Sequence, residues 1–266
     1  MTDSLGIDYS YARPAPATIK AAGYQWVIRY LSADAGKNLS ASEAAALLAA
    51  GLGIGLVWET TAQRALDGQA AGTQDAAAAV AQLRALGAPA GLPVLVNIGD
   101  FAVTTEQIGT IQGYYYGWRH GLEEYEPGSG GYGTGYIIDQ LAGGGAIGMW
   151  WQNAMDDEGV TGSTVSQHAS IYQRVTPAGT INGVKVASPA DLPSGSFDED
   201  VTGFGPVAPM WWSTAPAPAP APDPASAPTP DPPPAPDPAP APSLVSVELI
   251  AAYSDGSTKT VATLPV

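Results

Sequence analysis

Acidic side chains end several of the short apolar runs in this chain. Their positions are Asp8, Glu59, Asp100 and Asp198. Only 13% of the residues are charged, so composition alone does not explain this recurrence. Two carboxyl groups around one bond are the chemistry of glycoside hydrolysis, in which one protonates the leaving oxygen and the other acts as base or nucleophile or stabilises positive charge. The pattern predicts a catalytic pocket for a sugar.

Aromatic and hydrogen-bonding residues lie beside these acids or at the ends of other apolar runs. Those that we predict to bind the substrate are Tyr9, Arg29, Tyr30, Trp58, Asn97, Trp150, Trp151, Gln173 and Asp200. Flat rings would offer apolar faces to the sugar, and Arg29 would pair with a pocket acid and hold it ionised. The alternative interpretation is that the acids cap helices and that the tryptophans belong to the core.

The order of the apolar runs predicts the elements that position these residues. Short β-forming runs alternate with Ala- and Leu-rich helical stretches up to residue 212, which predicts an α/β fold with a parallel sheet. About eight such units in roughly 200 residues favour a closed TIM-like (β/α)8 barrel over an open sheet. Because the working residues of such a barrel project from the C-terminal ends of its strands, we expect the four acids around one mouth.

Capping signals mark several helix ends. Ser40 with Glu43 fits a capping box, Gly87 stands where a helix should end, and Thr104 is expected to begin the next helix.

The alternation of strand and helix patterns weakens after residue 125. There the fifth strand is expected within the Gly-rich residues 128–135, and the last two strands within residues 167–175 and 184–198.

Composition divides the chain into three parts. Residues 1–212 are the predicted barrel. Residues 213–242 are rich in Pro and Ala, which predicts an extended linker of about 90 Å at ~3.1 Å per residue. Residues 243–266 hold two β-forming runs around an Asp-Gly turn, which predicts a C-terminal β-hairpin. A lone hairpin is marginal in water, so we expect it to pair with its own copies or with a larger assembly.

Charge and composition exclude other classes of function. The net charge is −15, so neither nucleic acid nor an anionic membrane surface is an expected partner. The absence of cysteine excludes disulfides, thiolate nucleophiles and Cys-based zinc sites. We predict no metal and no cofactor. We also expect no signal peptide and no membrane-spanning segment.

Six short motifs follow one another between residues 6 and 76. They are Gly6-Ile7-Asp8-Tyr9-Ser10, Ile19-Lys20-Ala21-Ala22-Gly23-Tyr24, Val27-Ile28-Arg29-Tyr30-Leu31, Gly36-Lys37-Asn38-Leu39-Ser40, Val57-Trp58-Glu59-Thr60-Thr61 and Ala71-Gly72-Thr73-Gln74-Asp75-Ala76. In this order they resemble the glycoside-hydrolase-like TIM-barrel family of actinobacterial secreted proteins and phage lysins or tail proteins, a relative of the family 25 lysozymes. The resemblance is dense over residues 5–100 and looser to about residue 202.

The resemblance implies roles for individual residues. Asp8 and Glu59 match the acids at the first and third strand ends, Asp198 or Asp200 matches the acid near the last strand, and Gln173 matches a glutamine on the seventh. The fourth strand departs from the pattern. Relatives carry an Asp-x-Asp or Asp-x-Glu pair there, whereas Asn97-Ile98-Gly99-Asp100 has one acid, one position out of register. Because side chains alternate along a strand, this shift would aim Asp100 away from the pocket unless a loop residue compensates.

Three functional hypotheses follow, of which the third is an intracellular structural protein with no ligand. The first is a cell-wall glycan hydrolase of muramidase type, with Glu59 as general acid and Asp8, Asp100 and Asp198 sharing the other roles. Its partner would be a peptidoglycan-type polysaccharide, and the chain would be a phage lysin or minor tail protein that acts in the virion or outside the cell after lysis. The second is a catalytically silent carbohydrate-binding module of a phage tail. In the first two cases, the C-terminal hairpin would attach it to other virion or tail proteins.

Overall fold

The computed structural model describes residues 4–153, 166–174, 179–181, 184–186, 198–202, 211–213, 246–252 and 258–265. The chain divides into two compact units, Met1–Ala219 and Pro220–Val266. The first unit contains a closed barrel. Residues 214–242, which make up most of the predicted linker, lie outside the described residues.

Eight strands close the barrel, which confirms the predicted fold class. In chain order the strands of this unit are β1 (Leu5–Asp8), β2 (Trp26–Leu31), β3 (Gly53–Trp58), β4 (Val94–Gly99), β5 (Gly130–Gly133), β6 (Trp150–Gln152), β7 (Ile171–Arg174), β8 (Gly179–Ile181), β9 (Val184–Val186) and β10 (Asp198–Thr202). The order around the barrel is β1, β10, β7, β6, β5, β4, β3 and β2. β8 and β9 form a separate antiparallel pair. In the second unit, β11 (Ser246–Ala252) pairs antiparallel with β12 (Thr258–Pro265).

Helices follow each of the first five strands. They are α1 (Pro16–Ala21), α2 (Ala41–Ala49), α3 (Gly68–Leu86), α4 (Ile108–Gly121) and α5 (Gly135–Gly143). The caps lie where the sequence predicts them: Ser40 Oγ accepts the N–H of Glu43 at 3.1 Å, and Gly87 ends α3 at a φ of 69°. Thr104 forms a capping box with Gln107 at the short 3-10 turn before α4. No helix in the described part of the chain is long and apolar enough to cross a bilayer.

The last barrel strand runs in the opposite direction to its neighbours. β10 pairs antiparallel with both β1 and β7, and Asp198 opposes Asp8. A regular (β/α)8 barrel has eight parallel strands, and the sequence predicts this strand within residues 184–198. Instead the strand begins at Asp198. Because the strand is reversed, its first residue lies at the same end of the barrel as the last residue of β1.

Strand alternation separates two apolar layers, because successive side chains point to opposite faces of a sheet. The barrel interior contains Trp26, Ile28, Tyr30, Val57, Leu95, Tyr132, Met149, Trp151 and Ile171. The outer layer, between strands and helices, includes Ile7, Val27, Ile54, Val96, Leu47, Val80, Ile111 and Trp118. This register also determines which polar residues face the interior.

Tryptophans fill one end of the barrel. The opposite end, where β1 terminates at Asp8, is called the mouth. Trp211 stacks on Trp26 with ring centroids 4.3 Å apart. Two strand glycines make room for these rings: a Cβ at Gly6 would lie 2.2 Å from Trp26, and one at Gly55 would lie 2.6 Å from Trp211. The backbone of Trp212 pairs with that of Ile54 through hydrogen bonds of 2.9 and 3.0 Å. These described residues therefore occupy this end of the barrel, called its floor, and Asp8, the last residue of β1, lies at the other end.

α3 and α4 cross with their backbones in contact. A Cβ at Gly72 would lie 2.0 Å from the carbonyl oxygen of Tyr114, and one at Gly117 would lie 2.1 Å from that of Gln69. The same contact carries a buried polar group, since Asp75 accepts hydrogen bonds from Arg64 at 2.9 Å and from the Tyr114 hydroxyl at 2.7 Å. Glycine at the crossing is thus a packing requirement.

We expect Gly117→Ala to destabilise the chain by about 1–3 kcal/mol, because the added methyl group overpacks the crossing. Gly109→Ala on the same helix is the matched control, because no atom lies within 4 Å of its Cβ position. Urea unfolding followed by tryptophan fluorescence measures both variants, since all seven tryptophans precede residue 213. Equal free energies of unfolding for the two variants would contradict the close crossing.

Candidate active site

Asp8, the last residue of β1, is the centre of a hydrogen-bonded group in the mouth. The Tyr30 hydroxyl donates to Asp8 Oδ1 at 2.9 Å, and Gln173 Nε2 donates to Asp8 Oδ2 at 2.8 Å. The same Gln173 nitrogen lies 3.3 Å from Asp198 Oδ2. The Tyr132 hydroxyl donates to Gln173 Oε1 at 2.8 Å, which fixes the orientation of the amide. One glutamine side chain therefore bridges two carboxyl groups from adjacent antiparallel strands.

This pair of carboxyl groups retains a proton at neutral pH. Burial, followed by the neighbouring charge of Asp198, raises the pKa of Asp8 to about 8. The pKa of Asp198 is also raised, by its own burial and then by the charge of Asp100. Two carboxyl groups that share a site titrate as a pair and cannot both ionise easily. A group that keeps its proton at neutral pH can serve as a general acid.

Glu59, directly after β3, is held by hydrogen-bond donors. Lys37 Nζ lies 2.6 Å from Glu59 Oε1, and Asn97 Nδ2 donates to Oε2 at 3.2 Å. The amide of Asn97 is oriented by its own oxygen, which accepts the backbone N–H groups of Gly99 and Asp100. An ammonium and an amide N–H both interact best with an ionised carboxylate. The mouth therefore presents Glu59 as an anion.

A β-bulge on β4 brings Asp100 into the mouth. The register of β4 against β5 shifts between Asn97 and Gly99. As a result Gly99 faces the outer layer, where a Cβ would lie 3.4 Å from Ile137. Asp100 then faces inward and accepts a hydrogen bond from Asn153 Nδ2 at 2.8 Å. Bulges commonly re-aim a side chain in this way, and this one supplies the shift that simple alternation along the strand would not.

The four acids are close enough to act on one another. The charge of Glu59 raises the pKa of both Asp8 and Asp100, and the charge of Asp100 raises that of Asp198. Burial is the largest cause of the upward shift in each of these three groups. The sequence-predicted acids therefore lie in one electrostatically coupled cluster.

Five of the predicted binding residues lie on the inner side of the barrel: Tyr30, Asn97, Trp151, Gln173 and Asp200. Trp151 is fully buried, packs against Tyr132 at 4.1 Å between ring centroids, and donates from Nε1 to Asp200 Oδ1 at 2.8 Å. Burial holds the pKa of Asp200 well above its usual range. Trp151 and Asp200 support the site from below and expose no surface on which a sugar could stack.

The other four predicted binding residues, Tyr9, Arg29, Trp58 and Trp150, do not reach the mouth. Trp58, Trp150 and Tyr9 belong to the outer apolar layer. The ring centroid of Trp150, for example, lies 5.2 Å from that of Tyr115 on α4. The physical reason is the period of two along a strand: the neighbours of an inward-facing residue point outward. For these rings the structure favours the alternative that they form core.

Arg29 pairs with Glu43 on α2 instead of with a pocket acid. Its Nε lies 2.7 Å from Glu43 Oε1 and its Nη2 lies 3.2 Å from Oε2. The guanidinium also donates to the backbone carbonyls of Tyr9 and Lys37. Arg29 therefore anchors α2 and the loop that carries Lys37, which is a structural role outside the pocket.

Sequence reasoning missed three residues of the mouth, Lys37, Tyr132 and Asn153. Lys37 lies within one of the motifs that carry the family resemblance, so a signal for it was present. Tyr132 lies in a Gly-rich strand with a weak pattern, and Asn153 lies two residues beyond Trp151, where strand alternation aims it inward. Each forms a hydrogen bond with a site residue, which only the folded barrel makes visible.

The mouth combines two protonation states. The Asp8–Asp198 pair carries a proton, whereas Glu59 stands as an ion-paired carboxylate. This combination is the one that glycoside hydrolysis uses.

The described part of the chain contains no group of three or more His, Cys, Asp or Glu side chains that could hold a metal ion.

Asp8 makes the stability of the chain depend on pH. The folded carboxyl holds its proton up to about pH 8, whereas the unfolded one releases it near pH ~4. Stability therefore falls as the pH rises between these values. We expect Asp8→Asn to remove this contribution, so its stability relative to wild type should rise by up to about 1.4 kcal/mol per pH unit from pH 5 to 8.

Chemical denaturation at several pH values measures this difference, and Asp34→Asn is the control. Asp34 is an exposed rim residue whose pKa is lowered, first by the hydrogen bond from Tyr11, so it is ionised throughout this range. Its stability difference from wild type should stay constant. A constant difference for Asp8→Asn would show that Asp8 does not hold a proton in the folded chain.

Comparison with known proteins places this architecture in a family. The Rv2525c-like, glycoside hydrolase-like domain matches residues 17–189. The crystal structure of the Mycobacterium tuberculosis Tat-secreted protein Rv2525c in complex with L-tartrate is similar at 25% identity and a TM-score of 0.59, over 74% of this chain and 94% of that one. A search of curated proteins found no match.

More distant structures share the fold alone. A lysozyme from Streptomyces coelicolor has 13% identity and a TM-score of 0.50, over 77% of this chain and 94% of that one. The autolysin LytC of Streptococcus pneumoniae, in complex with a synthetic peptidoglycan ligand, has 12% identity and a TM-score of 0.51, over 75% of this chain and 46% of that one. The family match spans well over half of the chain. This chain belongs to the Rv2525c-like, glycoside hydrolase-like domain family.

Proposed function

We propose that the barrel hydrolyses a cell-wall glycan of the peptidoglycan type. The observation that carries the proposal is the coupled cluster of Asp8, Glu59, Asp100 and Asp198 at one end of the barrel. Membership of a glycoside hydrolase-like family supports it, and so does the fold shared with a lysozyme and an autolysin.

The contacts support a division of roles among the acids. The Asp8–Asp198 pair supplies the proton for the leaving oxygen, and Asp198, the more exposed of the two, presents it. Glu59 acts as the carboxylate that serves as base or nucleophile or stabilises positive charge. This assignment reverses the role that the sequence interpretation gives to Glu59, because the Lys37 ion pair favours an anion there. Asp100 contributes negative charge next to the reacting sugar.

A silent carbohydrate-binding module is the second candidate. The observation that favours it is on β4, where Asn97 and Gly99 occupy the positions that the family pattern assigns to two acids. In that case, the mouth would hold a glycan without cleaving it. The release of reducing ends from cell walls, measured together with binding to them, distinguishes the two functions.

We also propose that the chain is a phage lysin or minor tail protein that meets its glycan from the virion or outside the cell. Residues 213–242 would act as a spacer, and residues 243–266 would attach to other virion or tail proteins. The Pro/Ala composition of the first segment and the antiparallel pairing of β11 with β12 support these roles. The similar mycobacterial protein is Tat-secreted, which supports action outside the cytoplasm.

Glu59→Gln should reduce the release of reducing ends from purified cell walls at least 100-fold, because it removes the anion while keeping the size of the side chain. Glu124→Gln is the matched control, since Glu124 pairs with Arg84 on the surface after α4, outside the mouth. Sedimentation with cell walls measures binding in parallel. Release that persists in Glu59→Gln would contradict the role of Glu59, and binding without release by the wild type would favour the silent module.

Deletion of residues 243–266 should abolish binding of the chain to phage particles, while the activity of the barrel on glycans stays intact. The measurement is the amount of chain that co-purifies with assembled particles when the full and shortened forms are supplied separately. Equal incorporation of both forms would rule out the attachment role of the hairpin.

A further inference from the structure

Tyr11, in the loop after β1, is an exposed aromatic residue whose ring is nevertheless held in place. Its side chain is 61% exposed. The hydroxyl donates to Asp34 Oδ2 at 2.6 Å, and Asp34 Oδ1 accepts the N–H of Gly36 at 2.8 Å. Gly36 lies against the ring, since a Cβ there would be 3.2 Å from Tyr11 Cε1. The hydroxyl is thus occupied, and much of the ring surface faces solvent.

Arg13 links the loop that contains Tyr11 to the loop after β2 through hydrogen bonds. Its guanidinium donates to the carbonyls of Gly36 and Asn38 at 2.8 and 3.3 Å. It also donates to the carbonyls of Ser10 and Ala12 in its own loop. Because these hydrogen bonds hold both loops in place before any ligand binds, stacking of a ligand on Tyr11 would cost little conformational entropy.

Lys37 connects this ring to the acids of the mouth. Its Nζ lies 5.9 Å from the ring centroid of Tyr11, 5.8 Å from that of Tyr30 and 2.6 Å from Glu59 Oε1. The position of the lysine is set by its backbone, whose carbonyl accepts a hydrogen bond from Arg29 at 3.3 Å. An ammonium has three N–H donors, and Glu59 is its hydrogen-bond partner within the described residues. Further donors remain for oxygens of a ligand.

We propose that Tyr11 and Lys37 form a sugar subsite on the rim of the mouth, next to Glu59. The apolar face of one sugar ring stacks on Tyr11, and the Lys37 ammonium donates to a hydroxyl or carbonyl oxygen of that sugar. The inference rests on the proposed function, because it assigns the glycan a position relative to Glu59. Lys37 then has two roles, as the partner of Glu59 and as a contact to the substrate.

The charges near the subsite favour a neutral sugar. Glu59 already balances the charge of Lys37, and the Asp34 carboxylate lies beside the ring of Tyr11, at its hydroxyl. An anionic sugar would meet net repulsion there, whereas a neutral N-acetylated sugar would meet a ring face and a donor. The suitable probe is therefore an uncharged oligosaccharide of β-1,4-linked N-acetylglucosamine.

Isothermal titration of the full chain with this oligosaccharide tests the subsite. We expect Tyr11→Ala and Lys37→Gln each to weaken binding at least tenfold, whereas Tyr11→Phe, which keeps the ring, should stay within about threefold of wild type. Tyr116→Ala is the control, because Tyr116 is a tyrosine on α4 that is 40% exposed and lies outside the mouth. Its affinity should be unchanged. Circular dichroism confirms that each variant is folded, and Lys37→Gln tests the subsite independently if Tyr11→Ala fails to fold.

The outcomes separate the subsite from the proposed function. If the wild type binds and both Tyr11→Ala and Lys37→Gln bind equally well, the subsite is overturned while the glycan-binding function stands. An equal loss in Tyr116→Ala would also overturn the subsite, because the effect would not be local. If the wild type binds no oligosaccharide and releases no reducing ends from cell walls, both proposals fail together.

Discussion

Mutual repulsion among the carboxyl groups of the mouth governs how the surrounding segments must be arranged. Bringing like charges together in a partly buried space costs free energy unless each group is protonated or given donors. The barrel does both, because each acid has a partner from another segment of the chain. The partners are Tyr30 and Gln173 for Asp8, Lys37 and Asn97 for Glu59, Asn153 for Asp100, Gln173 for Asp198 and Trp151 for Asp200. The site exists only when these segments meet.

Two irregularities of the sheet put acids where a regular barrel would not. The reversal of β10 places Asp198 opposite Asp8 at the start of its strand. The bulge between Asn97 and Gly99 turns Asp100 inward. In both cases a local departure from parallel, alternating geometry delivers a carboxyl group to the mouth. Irregular backbone geometry often serves function in this way.

The scaffold around the mouth is held by close packing and by hydrogen bonds that lie outside the site. The close α3–α4 crossing at Gly72 and Gly117 and the stacked tryptophans at the floor hold the barrel from outside and below. Arg29, buried against Glu43, holds the rim loop that carries Lys37. A residue that looks like a candidate for binding therefore acts one layer away from the site, by fixing the backbone of a residue that reaches it.

Sequence patterns alone are enough to predict the closed barrel, the caps at Ser40, Gly87 and Thr104, and the acids at the end of β1 and directly after β3. These follow from local patterns, namely hydrophobic periodicity, capping residues and the rule that parallel strands end at one mouth. The direction of β10, the inward turn of Asp100 and the place of the aromatic residues depend instead on contacts between distant segments. Inner and outer faces differ by one residue along a strand, so Tyr9 and Trp58 could be assigned to either face until the register was known. Lys37 shows the same limit, because the carboxylate it pairs with is 22 residues away in the chain and becomes its neighbour only through folding.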